Sequence, residues 1–375
     1  MINLNFMPSR QLSIYAAKLF LTRSLAVLVA LVLVLMTLDL LGESGKILKV
    51  PGNGETELWR YVSLRVPILI SRFLPFSVLL GALIAFVGLN QNSEVVSMKA
   101  AGLSAHQILA PMIVASLGVA VALFAFNELV VVKSARTINA WTDADYEPIP
   151  PDSGILSNVW IRDGNDLVKA KLVGGRGPTT RLRGVSIFER EGGAIVRVIE
   201  AERAEQVAGA WKLENVRTYD AQMNIVMRQP DMTALGGVEP TRFTLARVDP
   251  TERDFVGLGD AIDELAAAGR PTDEARTGWW HKISGPLSTL LMPLLAATAA
   301  FGLARSGNVL LRACIGMALG FAYFVADNFS LALGNYGAYP PFLAAWAPFL
   351  LFLLIGEFVL FRQVEEGFSA PRSSW

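Results

Sequence analysis

The sequence predicts an α-helical membrane protein of six transmembrane helices in two three-helix blocks, with a jelly-roll-like all-β domain inserted between them. Two observations carry this. Of the 375 residues, 53% are hydrophobic and only 18% charged, with a mean hydropathy of +0.43, against about 25% charged for soluble domains. The missing charge falls in roughly 14–130 and 283–361, whereas 131–282 is ordinary in composition, so two apolar blocks flank one water-soluble insert. The expected divisions are block one at 1–130, the β domain at 131–256, a connecting helix and linker at 257–280, and block two with a cytoplasmic tail at 281–375.

The first apolar run, Leu25–Leu38, extends back through Ile14–Thr22 because Lys18 and Arg23 can snorkel from the cytoplasmic end. It does not read as a cleavable signal peptide, since Asp39, Leu40 and Leu41 follow where small residues would be needed. Ile68–Leu89 and Ile108–Phe126 complete the first block, and Ile283–Leu303, Val309–Leu333 and Phe342–Phe361 form the second. Each run suffices for a hydrocarbon core of about 30 Å. Arg10, Lys18 and Arg23 before the first span, and Arg305 and Arg312 between the fourth and fifth, carry no neighbouring acid. Both sites are therefore expected in the cytoplasm, which puts both termini inside and 131–282 outside.

Within the insert, VWIRDGNDLVKAKLV and GVSIFEREGGAIVRVIEAERAEQV alternate apolar and polar residues and break at Asp163-Gly164 and Gly192-Gly193. These are hairpin signals, and successive strands without helices point to a sandwich or jelly roll. A helix is expected near Leu258–Ala268, stopped by Gly269-Arg270-Pro271.

Composition also excludes several functions. The 33 basic and 33 acidic residues balance, with no basic tract for nucleic acid. Cys314 is the only cysteine and reads as a small buried hydrophobe, and His106 and His281 are the only histidines, so no metal site is expected. Nucleotide-binding, nucleophile-elbow and zinc-protease motifs are absent. Asp152, Asp163 and Asp166 stand at Gly-rich turns and read as turn formers. An enzyme is not expected, and any energy source has to come from a partner.

The loop Asn90–Gln107 is the most informative short segment. Residues from about 91 to 101 read as a short amphipathic helix stopped at Gly102, and Ser104 is placed to cap the next span. A short helix across the cytoplasmic face has the shape of a coupling helix that docks on a motor, although a plain connector would look similar.

The stretch PFSVLLGALIAFVGLNQNSEVVSMKAAGLSAHQIL, the pair Asn127-Glu128, and WWHKISGPLSTLLMPLLAATAAFGLARSGNVLLR with the later YPPFLAAW resemble the lipopolysaccharide export permeases of the LptF/LptG family. The likeness is closer to the LptG branch than to the LptF branch and covers nearly the whole chain. It implies a half-permease of an ABC-type exporter in the inner membrane, with a periplasmic jelly roll and no cofactor of its own. An LptF-like second permease, an LptB-like ATPase dimer that uses the ATP, an LptC-like periplasmic partner and lipopolysaccharide are the implied partners. In the family the acidic residue of the loop helix reaches the ATPase, and Glu94 matches it, with Ser93, Val95 and Lys99 around it.

Family members hold lipid A phosphates with basic residues at the outer rim, partly at the end of the first span. This chain departs from that pattern: no basic residue lies between Arg23 and Lys46, and Met36, Gly42 and Glu43 occupy the matching positions. Arg72, inside the second span, is the expected substitute, because an arginine there is costly unless it binds something; snorkelling to headgroups is the other reading. Lys46, Lys49, Lys133 and Arg136 are further cavity candidates that read equally as a solvated rim. Asp327, in the outer half of the fifth span, is expected to face a cavity or pair with Arg72. Gly316 and Gly320 form a G-x-x-x-G for helix packing along a gate between the first and fifth spans, and Glu357 near Arg362 reads as snorkelling. The sibling LptF-type subunit, a permease for another amphiphile, or a non-transporting envelope scaffold are the alternatives.

Overall fold

The computed structural model describes residues 7–148, 156–175, 179–207, 209–244, 248–267, 269–301 and 309–368. Asp152, Arg305 and the side chain of Arg312 lie outside the described residues. The helices are α1 (Arg10–Lys49), α2 (Glu55–Gln91), α3 (Glu94–Ala100) and α4 (Ala105–Phe126). A π-helical turn at Asn127–Val131 then leads into α5 (Val132–Asp143). Strands β1 (Leu156–Asp163), β2 (Asp166–Gly174), β3 (Arg181–Glu191), β4 (Ala194–Val207), β5 (Ala210–Asp220) and β6 (Ile225–Ala234) follow. Helices α6 (Thr241–Thr244), α7 (Phe255–Ala267), α8 (Asp273–Phe301), α9 (Val309–Asn335) and α10 (Pro341–Phe368) complete the chain.

Among the described residues, six helical segments are long and apolar enough to cross a membrane, as the sequence predicts. At about 1.5 Å rise per residue, the 40 residues of α1 measure about 60 Å, twice a hydrocarbon core. The apolar runs read from the sequence are thus only the lipid-length parts of longer helices.

The chain divides into two compact units, one of 1–38, 66–131 and 271–375, the other of 39–65 and 132–270. The first holds the apolar cores of the spans. Leu79, Phe86 and Leu89 of α2, Leu109 and Met112 of α4, and Leu291, Leu295 and Ala299 of α8 are among the members of one buried cluster. Helix α8 is the centre of this unit: 78% of its apolar window is buried, against 17% for α1 and 28% for α9. The apolar faces of α1 and α9, including Leu25, Val29, Leu33, Phe321 and Phe329, are left open.

In the second unit the six strands form one antiparallel meander in the order β1-β2-β3-β4-β5-β6. The β3–β4 hairpin turns on Gly192 and Gly193, both at positive φ (59 and 89), which a two-residue turn matching strand twist requires. Cross-strand pairing is interrupted at one level throughout the sheet, at Asn158, Lys171, Gly184, Glu202 and Asn215. Asn158, Gly184 and Asn215 on alternate strands have φ of 50, 58 and 54, the left-handed region that Asn and Gly tolerate best. This crease bends the sheet. On β3 it shifts the buried side chains from Leu182 before it to Val185 and Ile187 after it. A curled sheet wraps its own core of Val159, Val168, Leu182, Trp211 and Leu213, closed by Phe243 of α6 and Val238. The Trp211 indole donates to the Val238 carbonyl at 2.9 Å, so the largest core ring leaves no orphan donor. Helix α7 ends as the sequence predicts, with Gly269 at φ 64 and the Arg270 amide bonded to the Leu265 carbonyl.

The same unit includes the ends of α1 and α2 and all of α5. Tyr61 and Arg65 both bond Asp39, at 2.7 Å and, through the guanidinium fork, 2.9 and 3.0 Å. Tyr146 donates to Glu43 at 2.7 Å. Burial first, and this bond second, push the Tyr146 phenol up to about 12 from its ordinary 10.0. A raised phenol contributes stability fully below pH 10 and loses it as pH climbs toward 12. Unfolding midpoints should therefore fall between pH 10 and 12, and absorbance titration at 295 nm should place the phenolate lost in Tyr146→Phe at the top of that range.

Candidate coupling and substrate sites

At one end of block one, α2 and α4 are joined through α3. Ser104 caps α4 in a reciprocal capping box with Gln107, and Gly102 at φ 89 stops α3, both as expected. Ser93, at the start of α3, adopts a left-handed conformation (φ 58, ψ 15) and makes no side-chain cap. Val95 is buried, so among the four coupling candidates it is an anchor and not a contact surface. Glu94 is half-buried, while Ser93, Val96, Ser97 and Lys99 are exposed. The helix therefore presents one small mixed face outward and roots itself with Val95 and Met98.

Near the other ends of the spans, polar side chains in apolar surroundings meet across helices. Ser71 of α2 donates to Asn127 at 2.6 Å. Glu128, in the π-helical turn, accepts from Lys282 of α8 at 2.8 Å, with only 15% and 12% of the side chains exposed. A π-turn inserts a residue into a helix and re-aims the side chains after it. Asp327 of α9 is 9% exposed, and Tyr323, one turn before it, is buried as well. Arg72, in contrast, is exposed and makes no ion pair among the described residues. The expected Arg72–Asp327 pair is therefore not formed among the described residues.

The remaining rim candidates belong to the second unit. Lys46 is tied to Glu43 at 2.8 Å, and Lys49 and Lys133 are exposed. Arg136 donates from Nε and Nη2 to the Glu252 backbone carbonyl at 3.0 and 2.7 Å, which makes it a clamp on the chain after the sheet. A cavity of about 330 Å³ opens among Asp39, Glu43, Tyr61, Arg65, Asn139, Asp143, Tyr146 and Glu252. Sequence reading passed over this acidic lining because its members come from four separate segments.

Gly316 and Gly320 lie where a Cβ would meet Leu83 at 2.6 Å and Leu79 at 2.1 Å. The G-x-x-x-G thus brings α9 against α2, and not against the first span as expected. Glu357 of α10, read as snorkelling, faces His106 at the start of α4 with its Oε2 3.3 Å from Nε2. No cluster of metal ligands occurs among the described residues.

Glu128 and Lys282 test the weight of the interhelical contacts. Replacing Glu128 by leucine takes the carboxylate away from the buried Lys282 ammonium and should cost about 3–5 kcal/mol. The double leucine variant should recover most of that loss, as read by thermal unfolding in detergent.

The family model for the lipopolysaccharide export system permease LptF/LptG matches residues 14–363. The chain is 27% identical over 313 residues to the lipopolysaccharide export system permease protein LptG of Escherichia coli (strain K12), covering 81% of this chain and 85% of that protein. Against the LptG of Haemophilus influenzae (strain Rd) it is 26% identical over 333 residues, covering 83% and 88%. With six apolar helices, one inserted antiparallel sheet and a match running from the first span to the last, the chain belongs to the LptF/LptG family of lipopolysaccharide export permeases of the inner membrane.

Proposed function

We propose that this chain is the LptG-type half of an ATP-driven exporter that draws lipopolysaccharide from the outer leaflet of the inner membrane. Both termini lie in the cytoplasm and the β domain lies in the periplasm, where it is the lipid's next carrier toward an LptC-like bridge. An LptF-like permease covers the open apolar faces of α1 and α9, and a cytoplasmic LptB-like ATPase dimer docks on α3. The observation that supports this best is α3 itself: it is rooted in the membrane block by Val95, bears Glu94 half-buried, and turns Val96, Ser97 and Lys99 outward.

Energetics require the separate motor. A lipid acyl chain held between apolar helices gains about 0.8 kcal/mol per buried methylene, so expelling a chain of a dozen methylenes costs about 10 kcal/mol. The chain carries no nucleotide motif to meet that cost. Closure of the ATPase dimer would push α3, collapse the cavity between the two permeases and release the lipid.

Purification of the chain in mild detergent with mass spectrometry of its companions tests the reading. Recovery of an ATPase, a second six-span permease and lipopolysaccharide is the expected result. Glu94→Ala should weaken ATPase association by roughly 30-fold, the loss of about 2 kcal/mol typical of a truncated interface charge. A chain that purifies alone and lipid-free, and stimulates no ATPase, would indicate an envelope scaffold instead.

A further inference from the structure

The contact made by Glu94 within this chain carries a consequence for coupling. Its Oε1 accepts a hydrogen bond from the Tyr15 hydroxyl of α1 at 3.2 Å, across 79 residues of sequence. Asn92 approaches the same oxygen at 3.5 Å, so both donors fall on Oε1 and leave Oε2 for a partner. Beneath this polar contact Val95 joins Ala16 and Phe20 of α1 in one buried cluster, with Leu19 and Met98 packed against it. Helix α3 thus meets α1 through one hydrogen bond, and both helices contribute to the same buried cluster.

Two further features give the contact a purpose. Ser93 enters α3 at φ 58 without a capping bond, a conformation that a residue with a Cβ holds only when its surroundings enforce it. The Tyr15 bond fixes the very next side chain. Helix α1 is also the least buried of the spans, so its seat against α3 is one of few places where a load can enter it.

We propose that Tyr15 is a positioning residue: it locks the Glu94 end of α3 to α1, so that a push received by α3 moves the first span as well as its covalent neighbours α2 and α4. This rests on the reading of Glu94 as the ATPase contact. Without the hydroxyl, the ATPase still docks through Oε2 and the exposed face, but the displacement of α3 is no longer delivered to α1.

The test is a full transporter reconstituted in liposomes with lipopolysaccharide, comparing Tyr15→Phe with the unaltered chain. Tyr15→Phe should assemble normally and hydrolyse ATP within about twofold of the parent. Lipid released per ATP should drop about fivefold, the scale of one ordinary hydrogen bond lost at an exposed position. Tyr15→Arg, which returns N–H donors to Glu94, should regain much of the ratio; a merely structural role would alter assembly and hydrolysis together and would not be rescued. An unchanged lipid-to-ATP ratio in Tyr15→Phe, with Glu94→Ala still impairing the ATPase, overturns the Tyr15 proposal alone. A Glu94→Ala transporter with normal assembly and hydrolysis overturns the coupling reading beneath it.

Discussion

A charge placed among hydrocarbon has to find a counter-charge or reach water, and this requirement decides which helices of the membrane unit stand side by side. Lys282 and Glu128 satisfy each other across α8 and the π-helical turn after α4. Ser71–Asn127 adds α2 to the same set. The π-turn belongs to this logic: from it the consecutive Asn127 and Glu128 meet two different helices, α2 and α8. Helix α8 is the most buried span because the others assemble around it.

The β domain solves a different problem. A single sheet has two faces, and a core needs something to cover one of them. Here the sheet covers itself, bent along the crease marked by Asn158, Gly184 and Asn215, with α6 and the Val238 segment closing the remaining side. The crease coincides with Pro230 on β6, opposite Asn215 in register. A residue without an N–H is harmless where the ladder is already interrupted. Strand order stays the simplest possible, and the curl supplies the enclosure that a jelly-roll-like domain implies.

Much of this was legible in the sequence, and the reasons are local. Span lengths, hairpin turns at Gly192-Gly193, the Ser104–Gln107 box and the Gly269 stop are each written within a few residues. What escaped was non-local. Lys282 and Glu128 lie 154 positions apart, and His106 and Glu357 lie 251 apart, so no window could pair them. Arg72 and Asp327 stand out in the sequence as charges within spans, but nothing near either one names its partner. Gly316 and Gly320 are legible as a spaced pair of small residues, but such a motif names no partner; a Cβ there would meet Leu83 and Leu79 of α2. The crease did leave a trace: an isolated Gly184 and two asparagines within otherwise regular strands.

The account depends most on α3 and the β domain standing on opposite sides of the membrane. Cys314 is the only cysteine, so a Cys314→Ser background allows single cysteines to be placed at exposed Ala101, just after α3, and at exposed Ala221, in the β5–β6 turn. A membrane-impermeant maleimide added to cells with a permeabilised outer membrane should label Ala221→Cys directly, and Ala101→Cys only after the inner membrane is opened. Labelling of both positions from the same side would contradict the topology, and with it the coupling of α3 to a cytoplasmic ATPase.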